Sequence, residues 1–89
     1  MRIRSAPTPN PNSLKFEAPG VRLVEDGLHA FHSAREASDH PLGAELFSLP
    51  GVHSLMIVPE FVTVTKHPAA DWSLLAEGVE RVLREHLGD

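Results

Sequence analysis

The residues most able to do chemistry are histidines, six of them in a chain of eighty-nine. His29 and His32 form the close pair, with Glu36 and Asp39 as the nearest carboxylates. A zinc site needs three or four ligands, each held in place by supporting hydrogen bonds. The remaining histidines fall on separate stretches, so His29 and His32 stand as metal candidates beside the simpler reading of exposed loop residues. Asp39-His40 next to Ser38 offers an acid–base pair and a hydroxyl. Adjacent side chains seldom converge, however, and no glycine-flanked nucleophile turn accompanies them. Helix capping explains Ser38 and Asp39 without any reaction. Gly20, Gly27, Gly43, Gly51, Gly78 and Gly88 match neither phosphate-loop nor dinucleotide spacing. There is no cysteine, which excludes disulfides, thiol nucleophiles, thiolate metal sites and an iron–sulfur cluster held on this chain's own sulfur.

Charge narrows the classes further. Eight Lys/Arg against twelve Asp/Glu give a formal charge of −4, and the basic residues are scattered. Such a chain has no field with which to neutralise phosphates, so nucleic acid and anionic membrane are not expected partners. Apolar runs such as Leu55 to Val58 fall far short of the ~20 residues that cross a bilayer. Met1-Arg2-Ile3-Arg4-Ser5 soon meets prolines instead of an apolar signal core. The expected compartment is the cytoplasm, and the expected organisation is one small domain over residues 1–89.

Any site must be positioned by elements that proline and glycine mark off. Arg2 to Ala6 reads as a short extended opening. Thr8-Pro9-Asn10-Pro11-Asn12 follows as a corner, because each proline removes a backbone donor and pushes the preceding residue toward extended geometry. Ser13-Leu14-Lys15-Phe16-Glu17 alternates with period two, placing Leu14 and Phe16 inward and Lys15 outward. Val21 to His32 follows no sustained period and suggests a loop with a short edge strand. Ser33 and Glu36 have capping-box spacing and predict a helical turn. Asp39-His40-Pro41 starts a second helix with Leu42, Leu46 and Leu49 on one face, stopped by Pro50-Gly51.

Val52 to Val58 and Phe61 to Lys66 predict an antiparallel hairpin across Pro59-Glu60. Leu55 and Ile57 share one face with Val62 and Val64, while Met56, Val58 and Phe61 fall on the other. Asp71 is a good N-cap for a last helix whose stripe is Trp72, Leu75, Val79, Val82, Leu83 and Leu87. Gly78 inside it costs up to about 1 kcal/mol unless a neighbour packs close. The expected fold is α+β in two layers: an antiparallel sheet of N-terminal strands plus the later hairpin, covered on one face by two main helices.

Two features exceed what a scaffold needs. Asn10 and Asn12 either close local turns or present amides to a partner. Met56, Val58 and Phe61 either form an open apolar face or lie under the Val21–Phe31 loop.

Four separated motifs then resemble a known family. Thr8 to Phe16, Ser38-Asp39-His40-Pro41-Leu42 with Leu46-Phe47, Pro50-Gly51-Val52 with Pro59 to Lys66, and Asp71-Trp72 are similar, in order, to the N-terminal domain of the Nfu/NifU-like iron–sulfur scaffold proteins. The resemblance implies an α+β domain. It also implies that, in longer members, a second domain supplies the Cys-x-x-Cys motif that bridges a cluster between two subunits. Lacking cysteine, the present chain is expected to bind no cofactor alone. Its expected role is that of a non-catalytic accessory domain in iron–sulfur assembly, touching a scaffold, carrier or recipient apoprotein through Asn10, Asn12, Phe61, Lys15 and Lys66. The alternative is a small iron- or zinc-binding protein using histidines and carboxylates, with a homodimer interface doubling the ligands. An enzyme using Asp39 and His40 is a third reading.

Overall fold

The structure, a computed structural model, describes residues 2–88. Five strands form one antiparallel sheet: β1 (Arg4–Pro7), β2 (Ser13–Glu17), β3 (His29–Phe31), β4 (Val52–Ile57) and β5 (Val62–Lys66). Their order across the sheet is β1-β2-β5-β4-β3. Two helices, α1 (Pro41–Phe47) and α2 (Trp72–His86), lie on one face. This is the α+β architecture that the alternating strands and the amphipathic stripe predicted.

Register explains how the pattern becomes a core. Leu14 pairs with Val64 and Val64 with Leu55, while Phe16 pairs with Val62 and Val62 with Ile57. Since successive side chains alternate faces, these residues project together toward the helices. Phe16, Ile57, Val62 and Val64 are fully buried, as are Leu42 and Leu46 of α1 and Val79 and Leu83 of α2. Each such side chain removed from water contributes about 1.5–3 kcal/mol. Gly78 is matched to the same packing: a Cβ there would stand 3.0 Å from Leu49 Cδ2, so its absence lets the residues after α1 lie against α2.

The local signals at the helix starts are met with one shift. Asp71 caps α2 by accepting the Ser73 N–H at 2.8 Å. The α1 cap is His40, not the expected Asp39. Pro41 occupies the first helical position, where its missing N–H costs nothing, so the cap falls on the residue immediately before it. His40 is extended there, as a residue preceding proline must be. Ser33 Oγ accepts the Glu36 N–H at 3.1 Å, but the Glu36 carboxylate reaches past Ser33 and accepts the His32 N–H at 2.7 Å. The segment remains a series of turns rather than a helix.

The illegible segment resolves into β3, pairing with β4 at the sheet edge, and a loop that enters the helix layer. Leu23 joins the core and donates its N–H to the Pro59 carbonyl at 2.8 Å. The loop therefore seals the packed side and leaves Met56, Val58 and Phe61 half-exposed.

Candidate functional site

Three groups of side chains come together, and they do not coincide with the set expected from sequence. The first lies on the sheet face opposite the helices. Lys15 and Met56 both pair with Thr63, one on each side of β5, and Ala30 of β3 extends the row beyond Met56. The Lys15 ammonium stands 5.0 Å from the centre of the Phe61 ring. A cation over an aromatic near the surface is worth about 0.5–1 kcal/mol. The result is a partly buried aromatic with a cation over its face, beside Met56 and Val58.

The second is the proline–asparagine corner. Asn10 Oδ1 accepts the Asn12 N–H at 2.9 Å, and the Asn10 carbonyl accepts the Ser13 N–H at 2.9 Å. Thr8 Oγ1 accepts the Asn10 N–H at 3.2 Å. Asn12 Oδ1 accepts from the Lys66 ammonium at 3.2 Å, and that ammonium also donates to the carbonyls of His67 and Pro68. The Trp72 indole N–H donates to the Pro11 carbonyl at 3.3 Å, tying the corner to α2. Lys66 is only 9% exposed and points to the helix side, so its charge is used inside the molecule. Asn10 Oδ1 closes a turn on the corner's own backbone, whereas Asn12 Oδ1 is taken up by the Lys66 ammonium. Phe61 and Lys66 bound opposite ends of β5, roughly 16 Å apart at the rise of an extended strand. Lys15 and Phe61 therefore form one patch, and Asn12 with Lys66 belongs to another.

The third group is a cavity of about 340 Å³ lined by Val24, Glu25, Asp26, His29, His40, Pro41, Leu42 and His86. The imidazoles of His29 and His40 are 5.0 Å apart between centres, and Phe31 meets His40 edge-on at 5.3 Å. Partial burial holds the His40 pKa below its ordinary value, with the nearby His29 and His86 adding to the shift. Sequence reasoning paired His29 with His32 instead. His32 faces Glu36 at 3.8 Å on the exposed turn, while His29 Nε2 lies 3.1 Å from the Asp26 carbonyl. Among the described residues no three His, Cys, Asp or Glu side chains stand close enough to hold a metal ion. Asp39 is exposed, and His40 Nδ1 accepts the Gly43 N–H at 3.0 Å. The signal for the cavity was the residue before Pro41: an N-cap is fixed by the fold, so His40 must turn toward the start of α1.

The chain and its fold are similar to known proteins. The model of the family described as scaffold protein Nfu/NifU N terminal matches residues 3–89. The human NFU1 iron-sulfur cluster scaffold homolog, mitochondrial, is 43% identical over 76 residues, covering 84% of this chain and 30% of the human protein. The Drosophila ananassae protein of the same name is 38% identical over 86 residues, covering 96% and 30%. Among solved structures, a NifU-like protein from Saccharomyces cerevisiae superposes with a TM-score of 0.78 at 26% identity, covering 98% of this chain and 78% of that one. A Staphylococcus aureus protein superposes at 0.74 with 25% identity, covering 92% and 98%. The chain thus spans less than a third of the length of the human and fly relatives.

The names of those relatives correct the cytoplasmic expectation. Human, fly and Arabidopsis thaliana relatives are all named mitochondrial, which points to that compartment instead. The composition of a folded domain does not encode its address, because targeting segments lie outside the fold and are removed. No helix among the described residues is long and apolar enough to cross a membrane. With four sequence motifs in order, the same sheet and helix layout, and a family model matching nearly end to end, this chain belongs to the Nfu/NifU N-terminal domain family of iron–sulfur scaffold proteins.

Proposed function

We propose that this domain is a non-catalytic docking module of iron–sulfur cluster assembly, which contacts a scaffold, carrier or recipient apoprotein through its uncovered sheet face. The observation that carries this reading is the Phe61 patch: a half-exposed aromatic under the Lys15 ammonium, with Met56 and Val58 alongside, on a face that neither helix covers. Aromatic anchors of this kind dominate protein contacts when a partner excludes water from them, and the lysine rim suits an acidic surface. The chain has no thiolate for a cluster, so in this reading the cluster is cargo held by the partner. The Asn10–Asn12 corner serves as a rigid neighbour at one end of the sheet, and Lys66 holds it from within.

Titration against the cysteine-bearing members of the assembly machinery tests the reading. Phe61→Ala should weaken binding by at least about 1 kcal/mol, a factor of five or more in Kd, without loss of folding. Lys15→Glu should weaken it through slower association, more so at low salt. Equal affinity of wild type and Phe61→Ala for every such protein would remove the sheet face from the function.

A further inference from the structure

We propose that His40 is an acid-sensitive latch between α1 and the edge strand β3, closed while its imidazole is neutral and released when the ring takes up a proton. The chemistry of the cap requires this. The Gly43 N–H can only donate, so His40 Nδ1 must accept with a lone pair and the ring proton sits on Nε2. In the imidazolium both nitrogens carry hydrogens, and two donors would face each other at 3.0 Å. A positive ring would also sit at the helix end where free amides already create positive potential. Serine or asparagine in the same place would cap at any pH.

The helix has little else at that end. It is seven residues long, and no acidic residue stands in its first turn. The same ring is also the joint to β3, tilted against His29 and met edge-on by Phe31, the two ends of that strand. Gly43 lies directly on Phe31, since a Cβ there would come within 3.1 Å of Phe31 Cε2. A ring that leaves Gly43 must therefore disturb Phe31. Strand β3 is hydrogen-bonded on one side only, to β4, and its Ala30 sits beside Met56 on the uncovered face. Loosening of β3 reaches that face whatever the face binds.

Charged and titratable groups face the ring from each neighbouring element: His29 from β3, His86 from α2, and Glu25 and Asp26 from the loop that closes the cavity. Burial first, then the neighbouring His29 and His86, hold the His40 pKa below its ordinary value. A group whose folded pKa is depressed stabilises the fold fully above its unfolded value. That contribution is lost as pH falls through the folded value, so the latch opens below the ordinary histidine value of 6.5.

Nuclear magnetic resonance of the whole chain between about pH 8 and about pH 5 tests the latch. The Gly43 amide and the Phe31 ring should shift with the same midpoint as the His40 ring protons, and Gly43 exchange protection should fall several-fold across it. His40→Asn keeps a cap that does not titrate, and should hold the Gly43 amide fixed over the same range. His29→Gln and His86→Gln leave the cap in place and should retain the Gly43 transition. A His40 ring that titrates while the Gly43 amide stays still would overturn the proposal. So would an unchanged pH response in His40→Asn, or loss of the transition in either glutamine variant.

Discussion

Replacing Gly51 with alanine should be far more damaging than the same change at Gly20, although both glycines have positive φ. The two are close in backbone geometry, at φ 98° and 82°. For an L residue that region costs about 1–2 kcal/mol, offset by about 0.4–1 kcal/mol from a less flexible unfolded chain. At Gly20 nothing lies within 4 Å of the new Cβ, so Gly20→Ala should cost about 1 kcal/mol or less. At Gly51 the new Cβ would stand 2.8 Å from the Ala70 Cβ, well inside the 3.4 Å of ordinary contact. Neither methyl is the far end of a flexible chain, so backbone must move. That backbone is committed: the Gly51 carbonyl accepts the His67 N–H at 2.8 Å, and Ala70 N–H closes the next turn on the His67 carbonyl. Overpacking of this kind costs about 1–3 kcal/mol, giving about 2–4 kcal/mol in all for Gly51→Ala. Urea unfolding of both variants measures the difference, with slope checked for two-state behaviour. Ala70→Gly in the Gly51→Ala background removes the clashing methyl, and the double-mutant cycle should recover about 1–2 kcal/mol. Equal costs at Gly20 and Gly51, or a cycle with no coupling, would refute the steric argument.

Two further substitutions probe the corner and the α2 start, beside the Phe61 and His40 variants described above. Lys66→Met keeps the packed stem but removes the ammonium that donates to three oxygens, and should lower stability by about 1–2 kcal/mol in urea while shifting the Asn12 side-chain amide resonances. Asp71 accepts both the backbone N–H and the hydroxyl of Ser73, which hold its carboxyl below the usual carboxylate value. The depressed pKa means that its cap stabilises fully above the unfolded value and fades as pH falls through the folded one. Acid melts of wild type should consequently drop more steeply than those of Asp71→Asn, and parallel curves would exclude the cap as a source of acid sensitivity.

The strands and α2 were legible because each is a short-range pattern. Period two in Ser13–Glu17 and in Val62–Lys66 decides which residues share a face, and the spacing from Leu75 to Leu83 decides the buried side of α2. The Gly78 exception was also visible as a demand for a close neighbour, and Leu49 meets it. Val21–His32 was not legible, since β3 is three residues long and the loop before it is held by Leu23 entering a core assembled from other elements. The residues expected at a partner surface are placed in two separate patches for a related reason. Lys15 and Phe61 lie together because β2 pairs with β5, whereas Lys66, one position of parity away from Thr65, turns inward.

By itself, then, the order of residues determined a cysteine-free α+β domain with a helix-covered sheet, since periodicity and turn chemistry act over a few residues. Whether the Met56, Val58 and Phe61 face stayed open was left to the placement of the Val21–Phe31 loop. Only the tertiary structure decided that Lys66 is interior, that His40 rather than Asp39 caps α1, and that His29 meets His40 instead of His32. Those outcomes depend on strand pairing and helix placement, which bring together residues far apart in the chain.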